Sequence, residues 1–217
     1  FRVQVDFPGR PVELKIWKAH VGHLCLYLLD SDLPENDETD RAITYQLYGG
    51  DINTRIQQEI VLGIGGVRAL RRLGLQPTAW HINEGHAAFQ ILERARECVQ
   101  DRNLDFAAAL ERVAGCTVFT THTPVPAGHD RFNGALVEEH LGPLRDQLGI
   151  SHEQLMGLGR VEPQNENETF CMTVIGFKMS RYANAVSNLH GVVSRRMWAH
   201  AWPDRSEDEV PIGHITN

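Results

Sequence analysis

Two runs of sequence decide the fold: Trp-His-Ile-Asn-Glu-Gly-His at residues 80–86 and Val-Phe-Thr-Thr-His-Thr-Pro-Val-Pro at residues 118–126. Each begins as an apolar, β-branched or aromatic strand and stops on polar residues that can exchange protons. Residues 87–115 between them carry two helical patterns. A strand, helices and a strand form a crossover whose parallel strands end at one sheet edge, where open α/β sheets bind ligands. Four side chains are predicted to face that crevice: His81, Glu84, His86 and His122.

The rest of the chain divides into segments around this centre. Residues 1–29 alternate apolar and polar positions and predict a small β-meander, with His23–Leu29 as its innermost strand because that stretch is apolar on both faces. We predict central βα units over 30–123, an excursion over 124–169 and further βα units over 170–217. Together these segments indicate an α/β protein with a parallel sheet.

A helical pattern with apolar residues every three or four positions begins after Asp51, a suitable N-cap. It contains the run Gly63-Ile64-Gly65-Gly66, which invites comparison with phosphate-binding loops. The run lies inside a helix, however, and does not complete GxGxxG, so close helix packing is the preferred interpretation. The polar Arg55 and Glu59 on the opposite side are interpreted as surface residues or buried hydrogen-bond partners rather than catalysts.

Composition limits the classes of function. The chain of 217 residues has 42% hydrophobic residues and a net charge of -7, which suits one globular core and disfavours binding to nucleic acid. A neutral ligand fits better. No run of about 18 apolar residues predicts a membrane span. Four cysteines without metal-type spacing are predicted to be buried free thiols of a reducing compartment, and we expect a cytoplasmic protein.

The sequence gives little support for a zinc site, a serine nucleophile or a lysine-bound cofactor. The spacing of His81, Glu84 and His86 raises a zinc hypothesis, but it does not match HExxH, and we predict no metal. His81 alone is also open to a purely structural role. GxSxG is absent. The three lysines are at positions away from strand ends and glycine loops, namely Lys15, Lys18 and Lys178.

The strand-end runs resemble those of the α-glucan phosphorylases, the family of glycogen, starch and maltodextrin phosphorylases, and especially its compact bacterial and archaeal branch. The resemblance extends over most of the chain from about residue 30 onward. Several ordered motifs carry it: Tyr48–Asp51, Arg55–Glu59, Leu62–Gly66, His81–Phe89, Phe119–Asp130, Ser180–Gly191 and Thr216–Asn217.

This resemblance implies a GT-B glycosyltransferase fold of two Rossmann-like lobes, with this chain as part of the N-terminal lobe and the C-terminal cofactor lobe absent. The implied reaction is phosphorolysis of α-1,4-glucan by inorganic phosphate, giving glucose 1-phosphate. Pyridoxal phosphate is the implied cofactor, attached to a lysine outside this chain. Neither nucleic acid nor a membrane is an implied partner, and a homo-oligomer is left open.

The resemblance also implies residue roles. His122 matches the histidine that contacts the glucosyl unit at the cleavage site, and is the catalytic candidate. Asn217 matches an asparagine that contacts the same sugar. Glu84 replaces the aspartate of the animal and plant pattern and, with His86, is expected to line the acceptor-glucan side. Because glutamate has a longer side chain than aspartate, its contact with the sugar is left open.

Three other interpretations stay open from the sequence. The chain could be a lobe of a glucan synthase that uses a nucleotide sugar, a metal-dependent hydrolase built on His81, Glu84 and His86, or a structural unit in which His122 contacts no sugar. The chain begins with Phe1 and ends in a predicted strand, so we expect a piece of a longer protein. By itself it is predicted to be inactive and to hold no cofactor covalently. Glucan length, allosteric control and oligomeric state are not readable.

Overall fold

A computed structural model of the chain describes residues 1–47 and 49–217. The strands are β1 (Arg2–Phe7), β2 (Arg10–Val21), β3 (Leu24–Asp30), β4 (Trp80–Asn83), β5 (Thr117–Thr121), β6 (Arg131–Phe132), β7 (Phe170–Cys171), β8 (Tyr182–Ala185) and β9 (Ile212–His214). The α-helices are α1 (Glu38–Arg41), α2 (Ile52–Ile60), α3 (Gly66–Arg72), α4 (Gln90–Arg102), α5 (Phe106–Ala114), α6 (Gly134–Leu148), α7 (His152–Gly159), α8 (Met172–Lys178) and α9 (Asn188–Trp198). Within the described ranges, no helix has the length and apolar character needed to cross a membrane.

The first sheet is antiparallel, in the order β1-β2-β3, which confirms the predicted meander. The prediction that His23–Leu29 forms its innermost strand is wrong. The longer β2 pairs with both neighbours and takes the central place, while β3 lies at the edge with its leucines Leu24, Leu26 and Leu28 exposed. Cys25 on β3 is exposed as well, against the expectation of a buried thiol.

The other three cysteines are closer to expectation. Cys98 and Cys171 are buried and Cys116 is half-buried, and each of them is a free thiol. Two of these positions belong to regular elements that face the core, Cys98 on α4 and Cys171 on β7. A thiol is therefore buried when its helix or strand turns it toward the core.

The second sheet positions the site. Its strands are parallel and follow the order β4-β5-β8-β9, which confirms a parallel sheet within a mixed α/β chain. The register aligns Asn83 with Thr120, Thr120 with Asn184, and Ala185 with His214. All four strands consequently end at the same sheet edge, and the polar residues that follow them are brought together there.

The helix predicted after Asp51 is present, and the Asp51 side chain accepts a hydrogen bond from Thr54 N at 2.8 Å as the expected N-cap. Between α2 and α3 the helix widens into a π-helical turn, Val61–Gly65. A Cβ at Gly63 would lie 2.9 Å from Gln90 N and from Phe89 Cβ. Close packing against the start of α4 therefore explains this glycine, and a Cβ at Gly65 would lie 2.8 Å from Leu14 Cδ1. The preferred interpretation is confirmed for these two glycines but not for Gly66, which has open space around it.

Replacing Gly63 with alanine is expected to destabilise the chain by about 1–3 kcal/mol, because the backbone at Gln90 cannot move away as a flexible side chain could. Gly66 supplies the matched control, since a Cβ there meets nothing within 4 Å. Gly66→Ala is expected to be neutral or to stabilise by up to about 1 kcal/mol. Urea unfolding of both variants measures the difference, and equal effects would contradict the packing explanation.

The start of the segment 170–217 differs from its prediction. The stretch from Phe170 was predicted to be helical at once, but Phe170–Cys171 is a short strand paired antiparallel with Arg131–Phe132, and α8 begins only at Met172. Phe170 is fully buried, with its ring 5.9 Å from that of Phe89. The tertiary pairing outweighs the local helical pattern because it buries this ring.

Candidate functional site

A groove of about 430 Å³ lies along the parallel sheet near the edge where its strands end. Three of the predicted site residues, His81, His122 and Asn217, line it together. Asn217 is held there because Ile215 N donates to Ala185 O at 2.9 Å and Asn217 N donates to Val186 O at 3.3 Å. The other lining residues are Ala79, Trp80, Asn83, Val118, Thr120, Asn184 and Ile215.

Polar side chains in this groove form two hydrogen-bonded sets. His81 Nε2 lies 2.6 Å from Thr120 Oγ1, and Thr120 Oγ1 donates to Asn184 Oδ1 at 3.2 Å. His122 Nε2 lies 3.2 Å from Asn83 Oδ1. His81 is thus exposed on the sheet and not satisfied inside the core. Sequence reasoning missed Asn83, Thr120 and Asn184, although alternation by two along aligned strands could have indicated them.

Glu84 does not line the groove, but it holds the segment after β5 that carries His122. Its carboxylate oxygen Oε1 accepts a hydrogen bond from Thr123 N at 2.6 Å, and also accepts from His122 N and, at 3.4 Å, from Thr121 Oγ1. This carboxylate binds the neighbouring strand end and does not cap the short helical turn that follows it. The backbone of Glu84 has φ +58°, a region that costs a non-glycine residue about 1–3 kcal/mol.

His86 lies apart from the groove, in a cluster of charged side chains from three parts of the chain. Arg55 on α2 donates from Nη2 to Asp130 Oδ2 at 2.6 Å, and the same nitrogen lies 3.3 Å from His86 Nδ1. Glu59 is 1% exposed and its nearest carboxylate oxygen is 3.7 Å from His86 Nδ1, too far for a hydrogen bond. Neither carboxylate oxygen of Glu59 has a hydrogen-bond partner in the described part of the chain.

These contacts shift the ionisation of the cluster. Its contact with Asp130, together with Glu59, raises the pKa of His86 to about 9. Burial favours protonation of Asp130, but His86 and Arg55 outweigh burial and hold its pKa well below the usual range. Burial raises the pKa of Glu59 well above its usual range. At neutral pH the imidazolium and the guanidinium therefore both face an ionised Asp130.

The raised pKa of His86 predicts a pH-dependent stability. Because the folded pKa of about 9 exceeds the ordinary value of 6.5, the stabilisation is complete below pH 6.5 and is lost as the pH rises through 9. We expect the free energy of unfolding to fall by on the order of 2 kcal/mol over this interval. His86→Gln, which cannot titrate, should lack that part of the fall. Urea unfolding at pH 6.5 and about pH 10 measures it, and identical pH slopes would contradict it.

The structure does not bring together the three residues of the zinc hypothesis, His81, Glu84 and His86. His81 contacts Thr120 and Glu84 contacts the neighbouring backbone, so these two residues and His86 face different surroundings. Among residues 1–47 and 49–217, one group of three metal-type side chains has its ligand atoms within 4.8 Å of one another, and it consists of Glu59, His86 and Asp130. The Arg55 guanidinium reaches all three, at 3.6, 3.3 and 2.6 Å. A cationic side chain of this protein therefore already occupies the position that a metal would need.

The residues present do not fit covalent attachment of a pyridoxal cofactor in the groove. Lys178 donates from Nζ to Val161 O at 3.2 Å, and Lys15 lies over the ring of Trp17 on β2. Lys18 also belongs to β2. None of these lysines belongs to the groove that holds His122 and Asn217.

Tyr48, the first residue of the motif Tyr48–Asp51 that suggested a family, lies outside the described residues.

Known proteins resemble the chain over nearly its whole length. It is 44% identical over 215 residues to the maltodextrin phosphorylase of Thermococcus litoralis, with 99% of the chain and 25% of the relative covered. It is 46% identical over 214 residues to the glycogen phosphorylase of Mycobacterium tuberculosis, with 94% and 24% covered. The glycogen phosphorylase of Aquifex aeolicus is 34% identical over 202 residues, with 93% and 28% covered. The chain thus spans about a quarter of the length of these curated relatives. No family model matches it.

Proposed function

We propose that this chain, which is homologous to about a quarter of the length of glycogen and maltodextrin phosphorylases, is part of an α-glucan phosphorylase. The similarity over 94–99% of the chain to two phosphorylases carries the proposal. In the proposed reaction, inorganic phosphate removes the terminal glucosyl unit of an α-1,4-glucan as glucose 1-phosphate. The chain supplies the glucan side of the cleft, within the N-terminal lobe of a GT-B fold.

The groove supports this role through its polar lining. When His122 Nε2–H donates to Asn83 Oδ1, the ring nitrogen Nδ1 is an acceptor for a sugar hydroxyl. The side-chain amide of Asn217 offers both a donor and an acceptor in the same groove. Glucosyl transfer passes through an oxocarbenium-like state, which is stabilised by hydroxyl contacts that strengthen as charge develops. We assign His122 and Asn217 to these contacts.

The other two predicted site residues have different parts in the proposal. Glu84 acts on the sugar through the strand end that it holds, because its oxygen Oε1 accepts hydrogen bonds from His122 N and Thr123 N. His86 lines a second groove, of about 640 Å³, together with Arg55 and Glu59. We place the acceptor end of the glucan toward His86.

The cofactor belongs to other parts of the polypeptide in this proposal. Pyridoxal phosphate would supply its phosphate group for proton transfer, and inorganic phosphate would bind on the same side. The groove contains no lysine or arginine among its lining residues in the described ranges, so it suits a neutral sugar better than a phosphate.

An assay of the full polypeptide that carries this chain tests the proposal. Incubation with maltoheptaose and inorganic phosphate is expected to form glucose 1-phosphate, and the chain of 217 residues alone is expected to form none. Uridine diphosphate glucose and adenosine diphosphate glucose are the comparison donors. Glucan elongation from either nucleotide sugar, without phosphorolysis, would contradict the proposal and indicate a synthase.

A further inference from the structure

The loop between His122 and Asp130 is tied at both ends by side chains from other elements. At its start, Thr123 N donates to Glu84 Oε1 at 2.6 Å. At its end, Asp130 accepts from Arg55 Nη2 at 2.6 Å. The residues between, 124–128, are exposed. Near Asp130 the loop is also held by Met172 N, which donates to Asp130 O at 3.1 Å, and by Thr173 Oγ1, which lies 2.8 Å from His129 Nδ1. Among these contacts, the two carboxylates of Glu84 and Asp130 bring side-chain charge to the two ends of the loop.

Arg55 is built into the second anchor. Its side chain is 13% exposed, and its other terminal nitrogen Nη1 donates to Gln58 Oε1 at 2.8 Å. Gln58 in turn donates to Ile43 O and Gln46 O, both at 3.0 Å. The guanidinium is thus oriented from its own helix while it contacts Asp130 and His86. A planar group with several fixed donors can hold two loops in one arrangement, which a flexible ammonium group does less well.

The contacts of Arg55 join the segments that follow the first two parallel strands. His86 lies two residues after Glu84, and Asp130 lies eight residues after His122. We propose that Arg55 is a positioning residue, which acts through Asp130, the carboxylate that both Arg55 and His86 face, and so fixes His86 and the loop 123–130 as the acceptor-glucan wall of the site. This inference rests on the proposed phosphorylase function. Since Arg55 acts through side chains outside the groove of His122 and Asn217, its removal affects glucan binding more than the chemical step.

Kinetics of the full polypeptide test the inference. Arg55→Met is expected to raise KM for maltoheptaose about fivefold or more while kcat and KM for phosphate change less than about twofold. Asp130→Asn should have the same effect, and the double variant should be no worse than either single one, because both break the same contact. Arg55→Lys should restore part of the affinity. Additive losses, an unchanged KM in both single variants, or an equal loss in kcat would overturn the inference.

Arg145→Met is the matched control. The Arg145 side chain is 20% exposed and pairs with Glu138 on α6 at 2.8 Å. The substitution therefore removes a guanidinium of comparable burial that lies away from the loop. It should leave both kinetic constants unchanged. A rise in KM for maltoheptaose equal to that of Arg55→Met would show that loss of an ion pair anywhere has this effect, and would overturn the inference.

A second readout separates this inference from the function on which it rests. In the chain itself, Gly128 N donates to Val125 O at 3.2 Å and His129 N donates to Pro126 O at 3.3 Å. Hydrogen exchange at these two amides should become about tenfold faster in Arg55→Met and Asp130→Asn, while exchange in α6 stays unchanged. If the full polypeptide has no phosphorylase activity, the proposed function is wrong, but the expected change in exchange still applies. If exchange is unchanged in both variants, Arg55 does not position the loop.

Discussion

Replacing His122 with alanine in the full polypeptide is expected to lower kcat/KM for phosphorolysis about 5- to 150-fold. The physical reason is the loss of one buried hydrogen bond to the glucosyl unit, worth about 1–3 kcal/mol, at about 1.4 kcal/mol for each tenfold change in rate. The effect should fall on kcat if the contact strengthens as the sugar approaches the oxocarbenium-like state. Steady-state kinetics with maltoheptaose measures both constants.

Two further variants sharpen this test. Asn217→Ala should lower kcat/KM by a similar factor, and the double variant should show less than the product of the two factors, because both side chains contact one sugar. His20→Ala is the control, since His20 is an exposed histidine on β2 in the other sheet. An unchanged kcat/KM in His122→Ala would favour a structural role for the histidine.

Replacing Glu84 with alanine is expected to destabilise the chain by about 2–4 kcal/mol. The carboxylate accepts hydrogen bonds from two backbone N–H groups, and each bond to a charged acceptor contributes about 1.5–3 kcal/mol. The expected loss is smaller than the sum of the two hydrogen bonds, because removing the Glu84 carboxylate also removes the cost of desolvating it. Glu84→Gln keeps a neutral acceptor and should cost only about 1 kcal/mol. Urea unfolding of the chain gives these free energies.

Glycine at the same position isolates the backbone contribution. Because φ is +58° at Glu84, Glu84→Gly loses the carboxylate but also relieves the unfavourable conformation. It should therefore be more stable than Glu84→Ala by about 1 kcal/mol. If alanine and glycine destabilise equally, the conformation is not strained. If alanine has no effect on stability, the carboxylate does not hold the strand end.

The sequence predicted what local rules control. The polar endings of two apolar strands, separated by helices, led to a parallel sheet whose strands share an edge, and the structure has that sheet. Asp51 was recognisable as an N-cap because capping involves only residues three positions apart. The packing role of Gly63 followed from its place inside a helix.

Features that depend on distant contacts were not predictable in this way. His86 was grouped with Glu84 by position, but Arg55 and Asp130, which it contacts, are 31 and 44 positions away. The edge position of β3 depends on the order of strands, which an apolar pattern does not reveal. The conformation of Glu84 is imposed by the neighbouring strand end, whose N–H groups need an acceptor.

The structure of the full polypeptide with a bound maltooligosaccharide tests the central claim most directly. Our account predicts one glucosyl unit with hydroxyl groups within hydrogen-bond distance of both His122 and Asn217, in the groove of about 430 Å³. A glucan that contacts neither side chain, or that lies only in the larger groove beside β3, would contradict it.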